Sequence, residues 1–210
     1  MIKKSLAMAS LLALGTSAMA IDVQPFVGVD IVHSKVDAKT GGSGTITSGG
    51  TTYSGSVSYS ETLKDTTLGI KIGAILEKNH RVYFNYFKME DKIQGEKYSY
   101  QLPAINYEYL IIDEKLNGFI PYVGAHIGYG KSQFSDIFED KSSLDYGLNL
   151  GIIKDVAPNL SLELGYKLTI VDEKSSISGT ITDGTNTLSG TIYEENKNVN
   201  TFAFGINYKF

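Results

Sequence analysis

Residues 160–170 read LSLELGYKLTI. Leu160, Leu162, Leu164, Tyr166, Leu168 and Ile170 share one parity, while Glu163, Gly165 and Lys167 fall on the other. Successive side chains of a β-strand point to opposite faces, so this is a strand with one apolar face and one small or charged face. The same period of two recurs in seven further segments. Their apolar positions are Val27, Val29, Ile31; Leu68, Ile70, Ile72, Ala74, Leu76; Val82, Phe84, Tyr86; Ile105, Tyr107, Tyr109, Ile111; Val123, Ala125, Ile127, Tyr129; Leu144, Tyr146, Leu148, Leu150, Ile152; and Phe202, Phe204, Ile206, Tyr208, Phe210. The opposite parity holds Gly28, Gly69, Gly73, Gly124, Gly128, Gly147, Gly151, Gly165 and Gly205, together with a few polar residues.

Volume decides which face is inside. The interior of an eight-stranded barrel is only just wide enough for side chains to fill. It has no room for all the large apolar groups of these segments, whereas glycines with a few long polar residues fit it. The apolar face therefore points outward, and in water it would be an aggregating surface. In lipid, a closed barrel satisfies every backbone polar group internally. Connections alternate in length: short at 77–79, 113–118 and 155–159, long at about 34–61, 88–98, 131–142 and 172–198. Short turns on one side and long loops on the other are the layout of outer-membrane barrels. The sequence thus predicts an all-β fold, an eight-stranded antiparallel up-and-down transmembrane β-barrel over 21–210. A soluble periplasmic or secreted β-barrel is the alternative fold.

Residues 1–20, MIKKSLAMASLLALGTSAMA, have the anatomy of a secretory signal peptide. Lys3 and Lys4 make a positive start, Leu6 to Leu14 is a short apolar stretch, and Ala18-Met19-Ala20 is a small-x-small cleavage site. Loss of the two lysines would take the formal charge from −4 to −6. The remaining composition is mostly exclusive. Among 210 residues there is no cysteine, which removes disulfides, cysteine-ligated metals, thiol catalysis and a lipidated cysteine anchor. Mild acidity argues against nucleic acid as a partner. No cofactor is expected. The near-neutral mean hydropathy is an average over an oily outside, a polar lumen and hydrophilic loops. The 4 prolines leave the strands uninterrupted.

Three segments resemble a known family, the small eight-stranded outer-membrane β-barrels of Gram-negative bacteria that include OmpX, Ail and the membrane domain of OmpA. PFVGVDI at 25–31 is similar to their first strand, and PYVGAHIGYG at 121–130 to their glycine-rich fifth strand. TFAFGINYKF at 201–210 ends in phenylalanine with aromatics at alternate positions, so Tyr208 and Phe210 resemble the signal read by the barrel-assembly machinery. The resemblance implies the outer membrane of a Gram-negative bacterium as the location, with outer-membrane lipid and that machinery as partners. It leaves no room for the peptidoglycan-binding domain of full OmpA proteins.

Candidate functional residues lie in two places. On the lumen parity, Lys71, Arg81, Lys167 and Lys209 face Asp30, Glu108 and Glu163, with Asn85, His126 and Asn149 among them. Confined charges must pair, which predicts a salt-bridge network plugging the barrel, with Glu163 and Lys209 as its leading pair. Some family members are lipid A-modifying enzymes with a His–Ser pair, but no serine on a neighbouring lumen face matches His126. Tyr107, Tyr109, Tyr129, Tyr208 and Phe210 suit an interfacial aromatic girdle. The second place is an internal echo: SGTITSGGTTYSGSVSYSE at 43–61 and SGTITDGTNTLSGTIYEE at 178–195. Thr, Ile, Val and Tyr at alternate positions with Gly-containing turns predict that the strands continue above the membrane as two hairpins. Side by side they would form a β-rich projection with unpaired edges, able to capture a host or surface ligand by strand addition. The mixed-charge segments 88–98 and 131–142 read as solvated caps. The function expected is therefore non-enzymatic, structural or adhesive, with a small porin-like channel as the alternative and a lipid A-modifying enzyme behind it.

Overall fold

A computed structural model describes residues 22–93, 96–134 and 141–210, so the leader and its Ala18 and Ala20 lie outside the described residues. Eight antiparallel strands close into one barrel in chain order. They are β1 (Val23–Ser48), β2 (Thr51–Leu76), β3 (His80–Ile93), β4 (Glu96–Leu110), β5 (Phe119–Phe134), β6 (Lys141–Ala157), β7 (Leu160–Asp183) and β8 (Asn186–Lys209). Closure comes from the β1–β8 pair, in which Val27 lies opposite Tyr208 and Val29 opposite Ile206.

The short turns lie at one end. Glu77 and Lys78 at positive φ make the β2–β3 turn. A single 3-10 turn, Glu114–Leu116, joins β4 to β5; Asp113 caps it and Asn117 ends it in the left-handed region. At the other end Gly49 and Gly50, both at positive φ, close the β1–β2 hairpin. Two positive φ angles are what a type I′ turn requires and glycine supplies without strain.

Every residue of the eight apolar stripes points out of the barrel, and none is buried. Leu148, Ile70 and Leu164 are about 60 % exposed. Aromatics ring both ends of this band: Tyr107, Tyr109, Tyr208 and Phe210 toward the turns, Tyr129, Tyr146 and Phe202 toward the loops. That is the distribution that a bilayer's two interfaces select. The lumen glycines give room to what lies beside them. A Cβ on Gly147 would stand 1.9 Å from the Leu168 carbonyl oxygen, and one on Gly28 2.3 Å from Asn207.

Two expectations need correction. The described parts of the segments 88–98 and 131–142 are not simply caps, and residues 94–95 and 135–140 of them lie outside the described residues. β3 and β4 pair up to Ile93 and Glu96, and Met89 and Tyr98 are buried in the mouth of the barrel. Nor is the lumen glycine-rich and polar throughout. Its loop-side half is an apolar cluster of Val32, Val36, Leu63, Phe87, Met89, Tyr98, Leu102, Val171, Val199 and their neighbours. Both corrections share one cause. Above the bilayer the outer face meets water, so charged residues such as Lys35, Lys64 and Lys88 move to the outside and apolar ones to the inside. Alternation continues there with its polarity inverted.

Candidate functional site

The strands bring the predicted lumen residues together near the turn end. Lys71 on β2 lies 2.8 Å from Asp30 and 2.7 Å from Glu163. Arg81 on β3 donates from Nε to Glu108 at 2.7 Å and pairs with the same carboxylate through Nη2. It also donates from Nη1 and Nη2 to the two Glu163 oxygens, each at 2.9 Å. Tyr83 donates to Glu108 at 2.7 Å, Tyr122 to Glu163 at 2.8 Å and Asn207 to Glu163 at 3.0 Å. Two cations, Lys71 and Arg81, thus meet three carboxylates, Asp30, Glu108 and Glu163, and Lys167 just above supplies a third positive charge in an interior where an unmatched charge would cost several kcal/mol. The Arg81 guanidinium also lies over the Tyr122 ring, 4.7 Å from its centroid.

Above this layer the contacts become uncharged, apart from Lys167. Its ammonium donates to Asn106 at 2.7 Å and Asn85 at 3.2 Å. Asn149 donates to Asn106 at 3.1 Å and to Glu108 at 3.0 Å, linking the two layers. His126 has both ring nitrogens engaged, Nδ1 with Asn149 at 2.6 Å and Nε2 with Thr169 at 3.0 Å. An imidazole held by an amide and a hydroxyl and cut off from solvent is placed to brace β5 against β6 and β7.

The expected Glu163–Lys209 pair does not form. The β7–β8 register sets Glu163 opposite Gly205, and Lys209 lies four residues nearer the turn. Lys209 instead reaches Asp155, at 2.7 Å, where β6 enters its turn. Asp155, Tyr83, Tyr122 and Asn106 escaped the sequence reading. For Tyr83 the signal was available: if Val82 and Phe84 face lipid, the residue between them faces the lumen.

The second site stands above the barrel. β1 and β2 pair without interruption to Ser48 and Thr51; β7 and β8 pair to Asp183 and Asn186 with a register shift between Ile170 and Glu173, and β1 pairs with β8 to Ser48 with a shift between Val36 and Ala38. The β2–β3 ladder stops at Gly69 and Phe87, and the β6–β7 ladder at Tyr146 and Ile170. A four-stranded blade in the order β2-β1-β8-β7 results. Among the described residues, no strand other than β1 pairs with β2 above Gly69, and none other than β8 pairs with β7 above Ile170. The two reciprocal contacts where the blade leaves the barrel are Lys64 N donating to Asp91 and Glu90 N donating to Asp65, at 2.8 and 2.7 Å.

Register sorts the blade into rows. On the face continuous with the lumen, Tyr53, Ile46, Leu188 and Ile181 lie side by side. Below them come Gly55, Gly44, Gly190 and Gly179, then Val57, Gly42, Ile192 and Ile177. On the outer face the rows carry hydroxyls: Thr52, Thr47, Thr187 and Thr182, then Ser54, Thr45, Ser189 and Thr180. Several of these pair across strands, as Thr47 with Thr52 at 2.9 Å and Thr180 with Ser189 at 3.0 Å.

A closed eight-stranded barrel with a lipid-suited exterior and a filled lumen has the fold of the small outer-membrane β-barrels. Solved structures of that kind are similar to this chain. Neisserial surface protein A superposes with a TM-score of 0.55 at 15 % identity, over 85 % of this chain and 97 % of its own. The outer membrane protein OprG from Pseudomonas aeruginosa gives 0.56 at 17 % identity, over 89 % of this chain and 96 % of its own. No protein-family model and no curated protein sequence matches the chain.

Proposed function

We propose that this chain is a non-enzymatic protein of the Gram-negative outer membrane that displays a β-blade at the cell surface for adhesion. The observation that carries this reading is the blade itself: four strands raised above the barrel, with both outer edges open. Edges of this kind capture partners through main-chain hydrogen bonds. The barrel below supports a role as anchor. Its lumen is crossed by the Arg81–Glu108–Glu163 cluster and topped by an apolar layer, and eight strands leave no aqueous channel once side chains fill the interior. His126 supports the same reading, since it is buried inside the filled lumen, away from any substrate in the membrane or outside it.

Shortening both hairpins tests it. Rejoining Gly41 to Ser58, and Ser176 to Tyr193, through two-residue turns removes the blade between residues that already face each other. The shortened protein should still show the heat-dependent gel migration of a folded barrel, and cells carrying it should lose adherence. Unchanged adherence would overturn the assignment.

A further inference from the structure

The blade leaves three features unsatisfied at once. Its inner face exposes large apolar side chains: Val57 is 75 % exposed, Ile181 70 % and Tyr53 66 %. Its two edges, Thr51–Ser60 on β2 and Ser176–Thr182 on β7, carry no charge and no proline. Those are the devices by which soluble sheets usually protect an edge from pairing with another chain. The third feature is the glycine row. Gly55 and Gly179 have nothing within 4 Å of where a Cβ would stand, and Gly44 and Gly190 meet only a carbonyl oxygen at 3.4 and 3.7 Å. The lumen glycines are forced by crowding, and these are not. Glycine inside a strand weakens it, so a row of four with no internal need marks a place where something else approaches. Three glycines of the row, Gly44, Gly55 and Gly190, line a trough of about 370 Å³ together with Gly42, Val57 and Ile192 of the apolar row below.

Building on the adhesive reading, we infer that the blade's partner is the blade of a second copy of this chain carried by an opposing membrane. One occupant answers all three features. Four strands from each copy make eight, the number whose interior side chains just fill. Two blades facing each other would cover each other's apolar rows, and the glycine rows give the room that so narrow an interior needs. Orientation selects opposing membranes. Cross-strand register keeps the apolar rows on the face continuous with the lumen, a register shift in β8 included, so they face the barrel axis. A neighbour in the same membrane meets the outer hydroxyl rows instead.

A two-fold axis between the copies sets β2 antiparallel to β2 of the partner and β7 antiparallel to β7 of the partner. Paired residues of antiparallel strands share a face, so each such pair must place one residue opposite itself. With no cysteine in the chain, that geometry can be read directly.

The experiment uses full-length protein in phosphatidylethanolamine–phosphatidylglycerol vesicles, in two differently labelled populations with outward blades verified by protease trimming. Mixed populations should co-aggregate only when both carry the protein. The double variant Val57→Asp/Ile192→Asp, at two exposed positions, should fold normally by gel migration and lower co-aggregation at least tenfold. A single-cysteine scan over residues 52–58 should give disulfide dimers peaking at one position. Failure to co-aggregate, wild-type co-aggregation of the double variant, or disulfide dimers that peak at no position in the scan would each overturn the pairing. Adherence of cells to surfaces that lack the protein reports on the broader adhesive reading separately.

Discussion

Arg81 holds Glu163 with both terminal nitrogens of its guanidinium, Nη1 to Oε2 and Nη2 to Oε1, each at 2.9 Å. The two residues come from β3 and β7, on opposite sides of the ring, so this pair spans the lumen. Both are buried, at 2 % and 5 % exposure.

Breaking one side of such a pair should be severe. Glu163→Gln leaves Arg81 and Lys71 with one carboxylate fewer in a water-poor space, a loss of about 3–5 kcal/mol. Arg81→Met/Glu163→Leu removes both charges and should cost less than the sum of the two single changes. Denaturant midpoints followed by gel migration or circular dichroism measure this; tryptophan fluorescence cannot, because the chain has none. Additive losses would show that the two residues do not act as a pair.

The Lys209–Asp155 pair should behave differently. Asp155 is 42 % exposed at the side chain, so water screens the pair. Lys209→Met is expected to change stability by less than about 1 kcal/mol. The same unfolding measurement checks it.

Glycines of the two regions should respond oppositely to alanine. Gly147→Ala drives a Cβ against the Leu168 backbone and should destabilise the barrel by about 1–3 kcal/mol or block its folding. Gly179→Ala meets open space and should leave stability unchanged or raise it by up to about 1 kcal/mol. A matching pair of folding yields would contradict the distinction between crowded and vacant glycines.

Exposed leucine and isoleucine should divide by solvent. Leu148 and Ile181 are similarly exposed, at 61 % and 70 %. Leu148 lies in the lipid-facing band, so Leu148→Arg should cost about 2–4 kcal/mol. Ile181 stands on the blade in water, and Ile181→Arg should leave barrel stability unchanged. Parallel unfolding in vesicles compares them.

The alternation of residues such as Leu160 to Ile170 determined the barrel. A period of two on eight segments, too many apolar groups for the interior and alternating loop lengths admit little else. It also placed Lys71, Arg81, Glu108 and Glu163 inside, because parity is a local property of the chain. The echoing hairpins were legible for the same reason. The tertiary structure decided partners, because register depends on the neighbouring strand rather than on the strand itself. It set Glu163 opposite Gly205, sent Lys209 to Asp155 and lined up Gly55, Gly44, Gly190 and Gly179 from four separate places in the chain. It also decided where lipid gives way to water. At that level the outer face turns from apolar to polar, and Val36, Met89 and Tyr98 change from apparent loop residues to the apolar lining of the mouth.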